Sequence, residues 1–410
     1  MNLLNIQLPK NNFHSLLQYG PKNNIYSNWH GSTTYENRLG IYTLREEDNV
    51  FLNFSLYNDK DAAIDYVKKF IDYYKIDTLQ VTDPNAAFLH THFHNKIKYI
   101  GPPEKVARLE TDKLYSKKIA NTLNIKTPKV LKEGKYSDDD YGCLLNYPAI
   151  EKPSHTWGPA VNLFTAEDSK RAIELRDKNK YPRDVDIDYY IEEYICDMIE
   201  TNVFFVISNG EYKITHTQQI IGENENKTID QKVWYIGSYI KPLKPEVDII
   251  VREQANIYLK EIAKMGGCYE GSFCGAYTST GEWYFLEINV RPDIFNSTPT
   301  FMSGDDYIKG MFEDISLFEK AWKDIKCDKL LITTFNSNDE YPIHLHEKYN
   351  VALPNNLEMK DSKFYVSEYG TNNEKGCGTI IADHNIPAEF IKEIEETTPW
   401  KFNEEPNLQI

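Results

Sequence analysis

The seven residues Phe285-Leu286-Glu287-Ile288-Asn289-Val290-Arg291 constrain this chain more than any other stretch. Polar and apolar side chains alternate through them with a period of two, the period of a strand with one face in a core. On a regular strand Glu287, Asn289 and Arg291 share one face, and Leu286, Ile288 and Val290 share the other. A carboxylate, an amide oxygen and a guanidinium in a row supply two hard oxygen ligands for Mg2+ and one fork for a phosphate oxygen. Mg2+ sites take only one or two protein carboxylates and complete their shell with waters and phosphates. An edge strand with a solvated polar face and a surface ion pair has the same pattern, so the other motifs must decide.

Period and punctuation order the rest of the chain. A helical pattern over Asp61–Tyr74 precedes an apolar run, Thr78–Val81, and a second short run, Ile97–Ile100, ends at Gly101-Pro102-Pro103. That alternation predicts a small α/β lobe with parallel strands. A helical stretch follows from Glu104 to about Leu123, with a break near Glu110 to Asp112, and Pro128 opens the next strand. Strand (Tyr147–Lys152), loop (Pro153–Pro159), strand (Ala160–Phe164), helix (Glu167–Lys178) and strand (Asp188–Glu192) then predict an α+β lobe that turns beside a lysine. Asn209-Gly210 favours a type I′ hairpin between Asn202–Ile207 and Tyr212–Thr217, because both positions tolerate positive φ. A helix over Val247–Met265 leads to a second hairpin, Gly271–Val290, turning at Thr280-Gly281. Beyond about Trp322 come short strands, Leu330–Thr334 and Lys363–Tyr369, and a last helix near Ala388–Glu396.

With 410 residues, 41% of them hydrophobic, the chain can bury a core for two or three lobes. Its net charge of −16 argues against a nucleic-acid duplex or an anionic membrane as the main partner, while a local basic pocket stays open. The cysteines (Cys143, Cys196, Cys268, Cys274, Cys327, Cys377) are scattered, without a CxxC pair or metal-ligand spacing. They read as reduced thiols, and no zinc site is indicated. The N-terminal MNLLNIQLPKNNFHSLL lacks a basic n-region with an apolar h-region, and no run of about 18 apolar residues occurs, so a cytoplasmic protein is expected.

Glu-x-Asn-x-Arg closing a Gly-containing hairpin resembles the final metal-binding strand of the ATP-grasp superfamily, and other features of that superfamily follow in its order. Glu110-Thr111-Asp112-Lys113, with Ile125-Lys126-Thr127-Pro128 after it, resembles the opening of the central domain, which implies that Lys113 reaches the nucleotide phosphates. Tyr147-Pro148-Ala149-Ile150-Glu151-Lys152-Pro153-Ser154 followed by Gly158 resembles the strand and flexible loop that close over the triphosphate. The resemblance makes Lys152 the second phosphate lysine and puts Ser154 and Gly158 in the closing loop. Tyr190-Ile191-Glu192-Glu193-Tyr194-Ile195 resembles the hinge strand that reads adenine with backbone groups, and Glu200 resembles the ribose-binding acid at a spacing one residue longer. By the same resemblance Glu287 and Asn289 are the metal ligands, and Arg291 and Lys152 are the catalytic cations.

Within the superfamily, Lys98-Tyr99-Ile100-Gly101-Pro102-Pro103 with Ala107-Arg108-Leu109-Glu110 resembles a junction of phosphoribosylamine-glycine ligases. Val81-Thr82-Asp83-Pro84-Asn85-Ala86 resembles their substrate-side loop, and Gly275 stands where many ATP-grasp enzymes carry a further acidic ligand, as in those ligases. Tyr341-Pro342 and Gly376-Cys377-Gly378 are similar to their C-terminal lobe. The Gly-rich first strand and loop are missing, replaced by Trp29-His30-Gly31 and its neighbours, and so is the Asn-Thr-Gly-Gly-Met-Gly stretch, where only Gly237-Ser238-Tyr239 is similar. His30, Arg38, His155 and His216 are substrate-contact candidates that read more simply as ordinary polar residues.

The resemblance implies an α/β and α+β multidomain chain. Its ATP-grasp fold would carry an N-terminal α/β (pre-ATP-grasp) lobe at 1–103, a nucleotide-binding region at 104–322 with a flexible subdomain at about 128–195, and a small C-terminal β-rich lobe at 323–410. It implies an ATP-dependent carboxylate-amine ligase working through an acyl-phosphate with ATP and Mg2+ (or Mn2+), on small-molecule carboxylate and amine substrates. An amino acid is the default for one of them. A non-ligating ATP-binding regulatory protein is the alternative, and thioester or carboxylated products are further variants. Many similar ligases dimerise, so a homodimer stays open, although no apolar stripe identifies an interface.

Overall fold

The structure, a computed structural model, describes residues 58–134, 149–154, 162–164, 189–195, 198–224, 235–241, 243–292, 304–324, 327–335, 364–369 and 376–383, with 2–6, 24–27, 41–43, 52, 55, 56 and 392. Three sheets organise them. The first is parallel throughout, with β1 (Asn2–Ile6), β2 (Asn24–Ser27), β3 (Ile41–Thr43), β4 (Thr78–Val81) and β5 (Lys98–Ile100) in the order β3-β2-β1-β4-β5. The first strand, β1, was not expected from the sequence, and it carries none of the glycines of the first strand of phosphoribosylamine-glycine ligases. Leu3, Leu4, Asn5 and Ile6 are all buried, and a run this short and two-sided gives no alternation to detect. Helix α1 (Lys60–Tyr74) starts where Asp59 accepts the Ala62 N–H, and lays Ala63, Ile64, Val67 and Phe70 against Leu4, Ile6, Leu79 and Val81.

Strand order reverses between β1 and β4, so their carboxyl ends flank a switch point, where doubly wound sheets bind ligands. There the Thr82 N–H donates to Ile6 O at 2.8 Å, and buried Asp83 accepts the Asn85 N–H at 2.8 Å to start the 3-10 turn Pro84–Ala86. The loop Val81–Ala86 thus lies at that crevice. After α2 (Leu89–Phe93) and β5, the Gly101 N–H donates to Cys268 O at 2.7 Å and ties the parallel sheet to the largest sheet. Helices α3 (Glu104–Thr111) and α4 (Lys113–Thr122) break at Asp112, whose side chain leaves the helix to accept the Tyr115 N–H.

A four-stranded antiparallel sheet follows, with β6 (Val130–Gly134), β7 (Ala149–Pro153), β8 (Asn162–Phe164) and β9 (Tyr189–Glu193) in the order β6-β9-β7-β8. The helix expected at 167–178 lies outside the described residues, as does nearly all of the one near 388–396.

The third sheet has eight strands. They are β10 (Met198–Ser208), β11 (Glu211–Asn224), β12 (Tyr235–Lys241), β13 (Cys268–Thr278), β14 (Trp283–Asn289), β15 (Cys327–Phe335), β16 (Phe364–Tyr369) and β17 (Gly376–Asp383), in the order β14-β13-β10-β11-β12-β15-β17-β16. Asn209 and Gly210 turn the β10–β11 hairpin with φ of 49° and 94°, the left-handed pair that a type I′ turn requires. Helix α5 (Pro245–Ala263) covers one face, burying Val251, Ala255, Leu259 and Ile262 against Val203, Phe205, Phe273 and Phe285. Helices α6 (Gly304–Phe312) and α7 (Ser316–Asp324) were not expected from the sequence. Met311 O accepts the Ser208 hydroxyl at 2.8 Å, and the Tyr307 hydroxyl donates to Glu270 at 2.6 Å. Burial pushes the Glu270 carboxyl up to about 7. The C-terminal strands continue the central sheet through the antiparallel β12–β15 pair. No described helix is long and apolar enough to cross a membrane.

Candidate active site

Strand β14 positions the polar row, with one departure from simple alternation. Asn289 pairs with Ser272, Glu287 with Cys274, and Phe285 with Gly275, so Leu286 is an extra residue on its strand, a β-bulge. Ile288 and Val290 are buried in the core as expected, but Leu286 is not with them, because the bulge shifts the phase and Phe285 takes that place. Glu287 and Asn289 consequently share a face with Cys274, Ser272 and, one strand further, Asn202. The Asn289 amide nitrogen donates to the Ser272 hydroxyl at 3.1 Å, which commits the nitrogen, so that Oδ1 is the atom that could take a cation.

The same bulge turns Gly275 to the core side. A Cβ there would stand 2.0 Å from Cζ2 of Trp283, whose indole N–H donates to the Thr201 hydroxyl at 2.8 Å, while that hydroxyl donates to Gly275 O at 3.1 Å. No acid fits at this position. Gly275→Ala is expected to cost about 1–3 kcal/mol by overpacking, read as a lower urea midpoint with altered Trp283 emission. An unchanged midpoint and spectrum would show that the indole can move aside.

The Asp112 cap makes Lys113 the first residue of α4, with its Nζ 3.1 Å from Glu287 Oε2 and its backbone N–H donating to Ser154 O at 3.0 Å. One turn on, Lys117 is 2% exposed and lies 2.8 Å from Glu192, which is 1% exposed and also meets Lys152 at 3.0 Å. Glu192 thus bridges two lysines. Its burial favours the neutral acid, but both ammonium groups outweigh this and hold it below the ordinary range. Burial lowers Lys117 against the pull of Glu192. At Lys152 burial is outweighed by Glu192, Glu287 and Glu200, which raise it. Glu287 is brought down to about 2, chiefly by Lys113 and, against its burial, by Lys152 and Arg291.

Arg291 directs its Nε–H to Glu110 at 2.8 Å. Glu193 is engaged with Lys129, accepting its N–H at 2.9 Å and donating its own N–H to Lys129 O at 3.0 Å. Ile195 follows β9, half-buried, and Glu200 opens the site face of β10. His216 is packed inside, stacked on Phe204 at 4.4 Å and 3.0 Å from the Thr215 hydroxyl, and burial holds it well below its ordinary pKa. Gly158, His30, Arg38 and His155 lie outside the described residues. Lys117 and Glu110 touch the expected site residues Glu192 and Arg291 and were not themselves among the expected ones. Lys117 carried a usable signal, its i+4 spacing from Lys113 on one helix face.

Among the described residues no group of three or more His, Cys, Asp or Glu could hold a metal ion. Glu287 is 37% exposed, and with Asn289 it makes a two-ligand edge that suits a hard cation sharing its shell with phosphate oxygens.

No protein-family model and no curated protein matches the chain. Solved structures do. The N5-carboxyaminoimidazole synthetase from Staphylococcus aureus is 13% identical, with 97% of each chain covered and a TM-score of 0.61. The L-amino acid ligase from Bacillus licheniformis is 14% identical over 97% of each chain, with a TM-score of 0.59. The biotin carboxylase from Campylobacter jejuni is 14% identical over 96% of this chain and 90% of its own, with a TM-score of 0.59. Likeness along nearly the full length of each chain establishes the fold: the chain has an ATP-grasp fold.

Proposed function

We propose that this chain is an ATP-dependent carboxylate-amine ligase that forms an amide through an acyl-phosphate and releases ADP and phosphate. The observation that carries this reading is a cluster of cations around Glu287: Lys113 Nζ lies 3.1 Å from it, and Lys152 and Arg291, paired directly with Glu192 and Glu110, are near enough to help hold its carboxyl down. A triphosphate and an anionic nucleophile repel one another, and such a cation set neutralises and aligns them. Glu287 and Asn289 would hold Mg2+, or Mn2+, whose charge would stabilise the phosphates when bound. Lys113 and Lys152 contact phosphate oxygens, and Arg291 offers its fork to another. The backbone of β9 through Ile195 faces adenine, and Glu200 the ribose. Excluding water from the reaction is the role we assign to Ser154 and Gly158. A carboxylate oxygen of the substrate attacks the γ-phosphorus and ADP leaves; the amine nitrogen then attacks the acyl carbon, and phosphate leaves as the amide bond forms.

The likeness to an L-amino acid ligase supports an amino acid as one substrate. The Val81–Ala86 loop at the switch point supports a substrate-side role for 1–103, with nucleotide binding in 104–322. The test is ADP release with Mg2+-ATP and a panel of amino acids and amines, phosphoribosylamine with glycine included, and Glu287→Gln as control. An acid and amine pair that stimulates release from the native protein alone supports the ligase. ATP binding that no pair converts to ADP release points instead to the regulatory ATP-binding protein, and dependence on a thiol or bicarbonate changes the nucleophile.

A further inference from the structure

Glu110 takes no part in the steps above, yet its carboxylate is placed with care. It lies in the last turn of α3, 4% exposed, and accepts the Val290 N–H at 2.9 Å and the Arg291 Nε–H at 2.8 Å. Burial raises the Glu110 pKa above the ordinary carboxylate value, against the pull of Arg291 and the Val290 N–H. A guanidinium whose Nε is tied to a buried carboxylate, and whose Nη1 also donates to Pro292 O at 3.4 Å, is restrained from swinging its plane, so its N–H groups keep one direction. Two residues further on, Asp112 starts α4, and Lys113 reaches both Glu287 and Ser154 O. The α3–α4 break therefore holds the end of β14, the metal edge and the end of β7 together.

We propose that Glu110 is a positioning residue, which aims the Arg291 fork at the phosphate oxygen that Arg291 neutralises. This rests on the ligase reading, in which Arg291 contacts phosphate. If Glu110 served only to anchor the end of β14 through Val290, its removal would act whether or not Arg291 were present.

A double-mutant cycle separates the two, read as the ratio of affinities for a non-hydrolysable Mg2+-ATP analogue and Mg2+-ADP by calorimetry. Arg291→Ala is expected to lower the preference for the triphosphate about 10²-fold. Glu110→Gln should lower it by roughly tenfold or more, the usual scale for a group that orients a binding residue. In the Arg291→Ala background Glu110→Gln should have no further effect. An unchanged preference in Glu110→Gln, or an equal loss in both backgrounds, overturns the proposal and leaves the ligase reading standing. An Arg291→Ala variant with unchanged preference overturns both. If Glu110→Gln fails to fold, the native protein still decides. Its Arg291 Nε–H resonance, identified by its loss in Arg291→Ala, should exchange with water about tenfold or more slower than free arginine, as for a buried hydrogen-bonded group, and exchange at the free rate overturns the assignment.

Discussion

Glu192→Ala is expected to cost about 3–5 kcal/mol of stability, the scale seen when a buried ion pair loses one side. The loss falls at the upper end because Lys117 and Lys152 both depend on this carboxylate, at 2.8 and 3.0 Å. Pairing of β9 with β6 and β7 fixes its backbone, and since Glu287 and Glu200 also favour the charged form of Lys152, the fully buried Lys117 bears most of the loss. Urea unfolding with an unchanged m-value measures the effect, and a loss under about 1 kcal/mol would mean that water reaches both ammonium groups. Lys117→Met should cost less, since Glu192 keeps Lys152 and the new side chain is apolar. The pH dependence has a definite sign. Glu192 is held below its unfolded value of 4.5, so its contribution is complete above about pH 4.5 and drains as the pH falls from there through the folded value. The alanine variant should lack that portion of the acid sensitivity.

Much of this arrangement could be read before any coordinates, for reasons that differ from element to element. The Asp112 break was legible because an N-capping side chain interrupts an otherwise continuous helical pattern, and the Asn209-Gly210 turn because only a few residues tolerate two positive φ values. The row Glu287, Asn289, Arg291 was legible as a polar face and Ile288 and Val290 as buried behind it, but Leu286 was misplaced, since a bulge leaves no mark in the hydrophobic pattern when Phe285 and Leu286 are both apolar. The glycine in place of an acid was visible at Gly275; its cause, the Trp283 indole, depends on cross-strand packing. Lys117 was hidden because a lysine on an amphipathic helix normally faces water, and only the fold brings Glu192 to it across 75 residues of sequence. Helices α6 and α7 and strand β17 escaped because they are short, at nine, nine and eight residues, too few turns or alternations for a period to stand out.

Lys152→Ala is expected to lower turnover about 10²- to 10³-fold and to weaken nucleotide binding, while leaving the fold in place. The contrast with Glu192→Ala follows from the geometry. Without Lys152, Glu192 still has Lys117 at 2.8 Å, so no buried carboxylate is stranded. What disappears is a cation at the site edge, 16% exposed, which Glu192, Glu287 and Glu200 all favour in its charged form. A charge fixed in this way does not reorganise when phosphoryl charge develops, the condition under which electrostatic stabilisation is largest. Glu287→Gln tests the neighbouring role by raising the Mg2+ concentration needed for half-maximal ADP release. An unchanged Mg2+ titration would remove Glu287 from the metal site, and near-native turnover in Lys152→Ala would remove Lys152 from the phosphates. With a native urea midpoint in Lys152→Ala, the latter result would move the catalytic charge to Lys113 and Arg291, because those are the other two cations that lower Glu287.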